Sequence, residues 1–152
     1  MESTVKKHIN LHVAGASSGQ TQPVEVEEVG PDLYRVLFSP GLVEGTAAGD
    51  LIRITDVSSG SFEVIEHGGN VSVKWAADSP VGHSLAKADD LLTRLGSRRD
   101  GAIAEAAVWT IPVSVGFHAI ETQMAQVVAL IPGSQWWYGN VYDHAGKPLN
   151  WW

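Results

Sequence analysis

Cysteine is absent from the 152-residue chain. That excludes a disulfide framework, thiolate nucleophiles and zinc sites built on sulfur, and it fits a reducing compartment. Bases are scarce: 10 Lys and Arg stand against 17 Asp and Glu, for a formal net charge of −7. Binding phosphates requires cations that displace counterions, so this balance argues against nucleic acid as the partner. Long apolar runs are also missing. The longest, Val127 to Ile131, is far too short to span a bilayer. The segment from Met1 to His8 lacks the apolar stretch of a signal peptide. These absences together read as a cytoplasmic protein without a membrane role. Neither a Walker loop nor GxGxxG occurs, so nucleotide cradling has no support, and no internal repeat is visible.

What is present is globular in balance, with 44% hydrophobic and 18% charged residues. The length suits a single domain, 1–152, read as a β-rich acidic half (1–70) and a second half (71–152). The charge is unevenly placed. Between Val24 and Glu66 lie nine acids and only two bases, Arg35 and Arg53, so this segment carries the whole −7. The plain reading of such a surface is solubility. The functional reading is a docking surface for a basic partner.

In the first half, Ile9, Leu11 and Val13 alternate with Asn10 and His12, the period of a half-buried strand. A polar loop is expected from Gly15 to Pro23, then strands over Val24–Val29, Leu33–Phe38, Leu51–Thr55, Phe62–Glu66 and Val71–Trp75. His67-Gly68-Gly69-Asn70 joins the last two as a hairpin-type turn. Many short strands with Gly-rich turns imply a small barrel-like or curled antiparallel sheet.

The second half changes period. Ser79-Pro80 predicts a helix start, and Val81, Leu85, Ala88, Leu92 and Leu95 recur at helical spacing before Gly96. A strand over Ala102–Val113, a second helix over Phe117–Ile131 and an aromatic strand over Gln135–Tyr142 follow. Strand, helix, strand, helix, strand, with room for one more strand, predicts a ferredoxin-like half with two helices on one sheet face. The fold class is therefore α+β.

Several local patterns carry a family resemblance. They are Gly30-Pro31-Asp32-Leu33-Tyr34-Arg35-Val36, Ala48-Gly49-Asp50-Leu51-Ile52, Trp109-Thr110-Ile111-Pro112 and Trp136-Trp137-Tyr138. With their order, the chain after Gln22 resembles the bacterial domain-of-unknown-function family 4265. The resemblance implies turns, a strand entry and a helix start, and no activity for particular residues. By class, a small acidic protein of this kind also resembles toxin-neutralising immunity proteins.

Catalytic candidates do not assemble. Gly15-Ala16-Ser17-Ser18-Gly19 matches the nucleophile-elbow pattern, but the Gln20-Thr21-Gln22-Pro23 that follows begins no helix, and a loop is the plainer reading. His8 and His12 share the polar side of one strand without a third ligand nearby, so no metal site is read there. His83 and His118 have no nucleophile or carboxylate at triad spacing, and Asp89-Asp90 diverge on a helix. Arg98-Arg99 reads as an inter-element loop. Of the six tryptophans, Trp75 and Trp109 are expected in the core. Trp136 and Trp137 must face opposite sides of a strand, and Trp151-Trp152 folds back or offers aromatic surface.

The sequence is thus read as a non-enzymatic protein without metal or cofactor. The leading expectation is a bacterial immunity or inhibitor protein that neutralises a cognate toxin domain, such as a basic nuclease. Its electrostatic candidates are Glu25, Glu27, Glu28, Asp32, Glu44, Asp50, Glu63 and Glu66, with Trp137 and Trp152 as anchors. Glu25 and Glu27 should project together, and Glu28 away from them. The alternative is a small-molecule-binding regulatory domain that stacks its ligand on Trp109 or Trp137.

Overall fold

A computed structural model describes residues 5–13 and 20–152. The nucleophile-elbow pattern at Gly15 to Gly19 lies outside them. The described elements form two antiparallel sheets and two helices, a mixed α+β architecture.

The first sheet is a meander of β1 (Val5–His12), β2 (Thr21–Gly30), β3 (Leu33–Val36), β4 (Leu51–Asp56) and β5 (Ser61–Glu66), in that order. Alternation decides its faces: Val24, Val26, Tyr34, Val36 and Ile52 point into one cluster with Leu11. The outer strands approach each other where Gly60 passes β1. The Gly60 carbonyl accepts the His12 N–H at 2.9 Å. Gly60 has φ +76, and an added Cβ would lie 2.6 Å from the Asn10 carbonyl oxygen, so this crossing requires glycine. Among the described residues the sheet curls without closing into a barrel. The polar loop expected up to Pro23 ends earlier, since β2 begins at Thr21 and Pro23 pairs with Asn10. That end of β2 has a strand partner only in β1, where a missing N–H costs little.

The second sheet contains β6 (Asn70–Ala76), β7 (Arg98–Ile103), β8 (Ala106–Pro112) and β9 (Gln135–Tyr138), in the order β7-β8-β6-β9. Helix α1 (Leu85–Thr93) links β6 to β7, and α2 (Phe117–Ala129) links β8 to β9. This is the ferredoxin-like connectivity. Both helices cover one face, where Val71, Val73, Trp75, Trp109 and Ile111 meet Leu92, Ile120 and Met124.

Three expectations change. The single strand expected over Ala102–Val113 is instead the end of β7, a turn and β8, a hairpin whose first arm begins at Arg98. Arg98-Arg99 is therefore strand, not loop. A bulge between Arg99 and Gly101 breaks the alternation that would have marked β7. Helix α1 starts at Leu85, after a 3₁₀ turn over Gly82–Ser84, and not at Ser79-Pro80. The buried Val81 instead donates its N–H to Ala104 in the β7–β8 turn. The last strand stops at Tyr138.

Candidate functional site

Period two sets the chemistry of the helix-free face. Along β6, Val71, Val73 and Trp75 face the helices, so Ser72 and Lys74 face the other way. From β8, Thr110 and Val108 join them, and from β9, Trp137, which stands directly opposite Lys74. This face does not meet solvent throughout. The β3–β4 connection, Leu37 to Asp50, runs across it as a strap.

Polar bonds tie the strap down. The Ser39 and Thr110 hydroxyls share a 2.6 Å bond, the Ser39 N–H donates to Asp100, and the Ala48 N–H donates to Ser39 Oγ at 3.0 Å. Lys74 Nζ donates to the Val43 carbonyl and to Glu44 Oε1, both at 3.1 Å, with 3% of its side chain exposed. Gly45 N–H reaches the Gly139 carbonyl at 2.7 Å. Burial pulls the Lys74 pKa below 10.5, partly offset by the Glu44 charge.

Asp50 closes the strap. Oδ2 accepts from Thr46 Oγ1 (3.1 Å) and the Ala47 N–H (3.0 Å), and Oδ1 accepts the Gly68 N–H (2.8 Å). His67 Nδ1 stands 3.6 Å from Oδ2, and its ring stacks on Trp151 at 4.6 Å. Burial raises the Asp50 pKa above 3.8, opposed by those N–H bonds and the imidazole. Asn140 ties the sheet beside it, accepting the Ser72 N–H and donating to the Asn70 carbonyl. Of the buried polar and charged residues among those described, only Ser134 lies away from this seam, where it accepts the Trp75 indole N–H.

The strap separates two concavities. On one side lies an apolar groove of about 570 Å³, lined by Phe38, Pro40, Leu42, Ile103 and Trp137, with Lys74 in its floor and Glu25 at its wall. Phe38 is held under the Arg98 guanidinium, 4.9 Å from ring centre to charge. On the other side lies a cleft of about 740 Å³ between the two sheets. Histidines 12, 67 and 144 line it with Tyr138, Tyr142 and Phe62, together with Glu44 and Asp143. The Nδ1 atoms of His12 and His67 are buried there without a hydrogen-bond partner in the protein. Among the described residues no group of three His, Cys, Asp or Glu side chains is placed to hold a metal ion.

The sequence candidates scatter across this frame. Glu25 and Glu27 do share a face of β2, facing His8 and Lys6 across the ladder. Glu28 lies on the opposite face, paired with Lys7 at 2.9 Å. Asp32 turns β2 into β3 at φ +55. Glu63 and Glu66 are exposed on β5. Asp50 is fully buried, so it is out of a partner's reach and acts as an internal acceptor. Trp109 is also fully buried, its indole N–H bound to Asp89, so it offers no stacking surface. Trp137 is 41% and Trp152 45% exposed, the latter edge-on to Phe117. His83 and His118 are exposed and line neither concavity.

Sequence reasoning missed Phe38, Leu42 and Ile103 at the groove and the tyrosines of the cleft. One signal was readable: Phe38 and Leu42 flank the turn residues Ser39-Pro40-Gly41, where a solvated loop would carry no large apolar side chains. Lys74 was another, a lone base inside the apolar run Val71–Trp75.

No helix of the described residues is long and apolar enough to cross a membrane. A solved structure described as a hypothetical protein from Neisseria gonorrhoeae is similar in fold, with a TM-score of 0.59 at 9% identity. The likeness covers 91% of this chain and 96% of that one. No curated protein matches the chain. Residues 23–146 match the family model described as "Domain of unknown function (DUF4265)", and the chain belongs to that family.

Proposed function

We propose that this chain is a binding protein of the immunity or inhibitor kind, which neutralises a basic protein partner such as a toxin nuclease. The observation that carries this reading is the groove beside the strap. Phe38, Leu42, Ile103 and Trp137 stand around it with 39%, 61%, 68% and 41% exposure. Large apolar side chains grouped about one concavity mark interaction surfaces more often than isolated ones do, and aromatic anchors supply most of the energy of such interfaces.

Charge complements the apolar contact. Glu25 lines the groove and Glu27 follows it on the same face of β2. A basic partner approaching that wall is steered towards the anchors. The reading needs no reaction at the groove.

The test begins with the complex isolated from the native host, followed by kinetics with the purified partner. Glu25→Lys with Glu27→Lys should slow association about tenfold at low salt and much less at high salt. Trp137→Ala should speed dissociation about thirtyfold, the loss expected of a hot-spot anchor. A partner whose rates ignore both changes, or a chain that leaves its native host uncomplexed, would falsify the proposal.

A further inference from the structure

The cleft on the other side of the strap has a chemistry of its own. Its volume of about 740 Å³ lies within the range of small-molecule sites. Among the described residues no Lys or Arg lines it, whereas Glu44 and Asp143 both do. Its aromatic wall is Phe62, Tyr138 and Tyr142, with the tyrosine rings 6.4 Å apart and tilted at 49°. Aromatic faces carry negative charge density and attract cations. His12 and His67 also line the cleft, each with a buried Nδ1 that makes no hydrogen bond within the protein.

The two carboxylates differ in availability. Glu44 Oε1 already takes the Lys74 ammonium. Asp143 uses Oδ1 for the Ala145 and Lys147 N–H groups, which hold its pKa below 3.8 and keep it ionised. Tyr138 donates its hydroxyl to Glu121, which fixes its ring, and burial with that bond raises its pKa. The cleft therefore presents aromatic faces and an ionised carboxylate, with no Lys or Arg among its described lining residues.

We infer that this cleft binds a small organic ammonium ion, its charge against the Tyr138–Tyr142 faces and Asp143 and its apolar part against Phe62, Val64 and Leu149. The site is independent of the groove proposed for a protein partner. It is tested on the isolated chain, so failure of one does not decide the other.

The probes are benzylamine and choline, with benzoate and benzyl alcohol as charge controls, read by NMR chemical shifts of the full-length chain. Both cations should shift the His12, His67 and Tyr142 resonances saturably, with dissociation constants on the order of millimolar or tighter. The controls should leave those resonances unmoved. Tyr142→Leu changes a half-exposed side chain and should weaken the cations about tenfold with the melting temperature unchanged. Equal shifts from benzoate overturn the inference in favour of an unselective cavity. Unmoved cleft resonances with both cations at about 10 mM, roughly tenfold above the expected constant, overturn it outright.

Discussion

Replacing Asp50 by alanine removes the acceptor on which the strap converges. Three donors, Thr46 Oγ1, Ala47 N–H and Gly68 N–H, lose their partner, the first two at fully buried residues. Hydrogen bonds to a charged group contribute about 1.5–3 kcal/mol each, while burying the carboxylate costs part of that back. The net loss should be about 4 kcal/mol. For a chain of this length that is a fall of about 12 °C in melting temperature, followed by circular dichroism and tryptophan fluorescence. Asp50→Asn keeps one acceptor and turns an amide N–H₂ towards the remaining donors, so it should lose about half as much.

The sign of the pH effect follows from the raised pKa. Between 3.8 and the folded-state value, the native chain keeps a proton that the unfolded chain has released. Stability from this group is therefore full below 3.8 and is lost as pH rises through the folded pKa. The wild type should lose this contribution as pH rises above 3.8 through the folded-state pKa, and Asp50→Asn should not. A melting temperature for Asp50→Ala within 3 °C of wild type, about 1 kcal/mol, would refute the account of Asp50 as the closing acceptor.

Other substitutions probe the same seam and the chain end. Lys74→Met should be neutral or stabilising by about 1–2 kcal/mol, whereas Glu44→Ala should cost about 3 kcal/mol by stranding a buried ammonium; chemical denaturation separates them. Because the folded Lys74 pKa lies below 10.5, wild-type stability should rise as pH climbs from that value towards 10.5, and Lys74→Met should lack the rise. Gly68→Ala puts a Cβ 2.7 Å from Gly49 Cα, where backbone must move, and should lower stability by about 3 kcal/mol in a thermal melt. Trp151→Ala removes the stack on His67 and the indole bond to the Asn140 carbonyl. It should cost about 2 kcal/mol and blue- or red-shift the emission maximum, and an unchanged spectrum and melt would place Trp151 off the fold.

Much of the fold was legible because its elements follow their periods. The alternation of Val71, Val73 and Trp75 and the spacing of Ile120, Met124 and Val127 mark a strand and a helix that the structure contains. The opposition of Trp136 and Trp137 needed only the strand period. β7 was hidden by Arg98-Arg99-Asp100-Gly101, whose bulge and charges imitate a loop. The start of α1 was misplaced because Ser79-Pro80 has the composition of a helix start while tertiary contacts of Val81 hold that segment in another shape.

The site was less legible, for a different reason. A strap contributes through contacts made far along the chain: Ser39 to Thr110, Val43 to Lys74, Gly45 to Gly139. No local pattern records such pairings. Composition signals that something must satisfy Lys74 without naming Val43 and Glu44.

The acidic segment illustrates the difference between charge counted and charge available. Of its nine acids, Asp50 is sealed inside, Glu44 is bound to Lys74 and Glu28 to Lys7. Asp56 is bound to Ser58 in its own turn, which lowers its pKa. The five that remain are split, with Asp32 exposed in the β2–β3 turn. Glu63 and Glu66 lie on β5, away from the groove, while Glu25 stands at the groove wall with Glu27 beside it on the same face. A surface that served solubility alone would have no reason to join its free acids to its exposed aromatic side chains. Among the described residues free acids and exposed aromatic side chains meet at β2, so the partner we propose is to be sought at that edge of the strap.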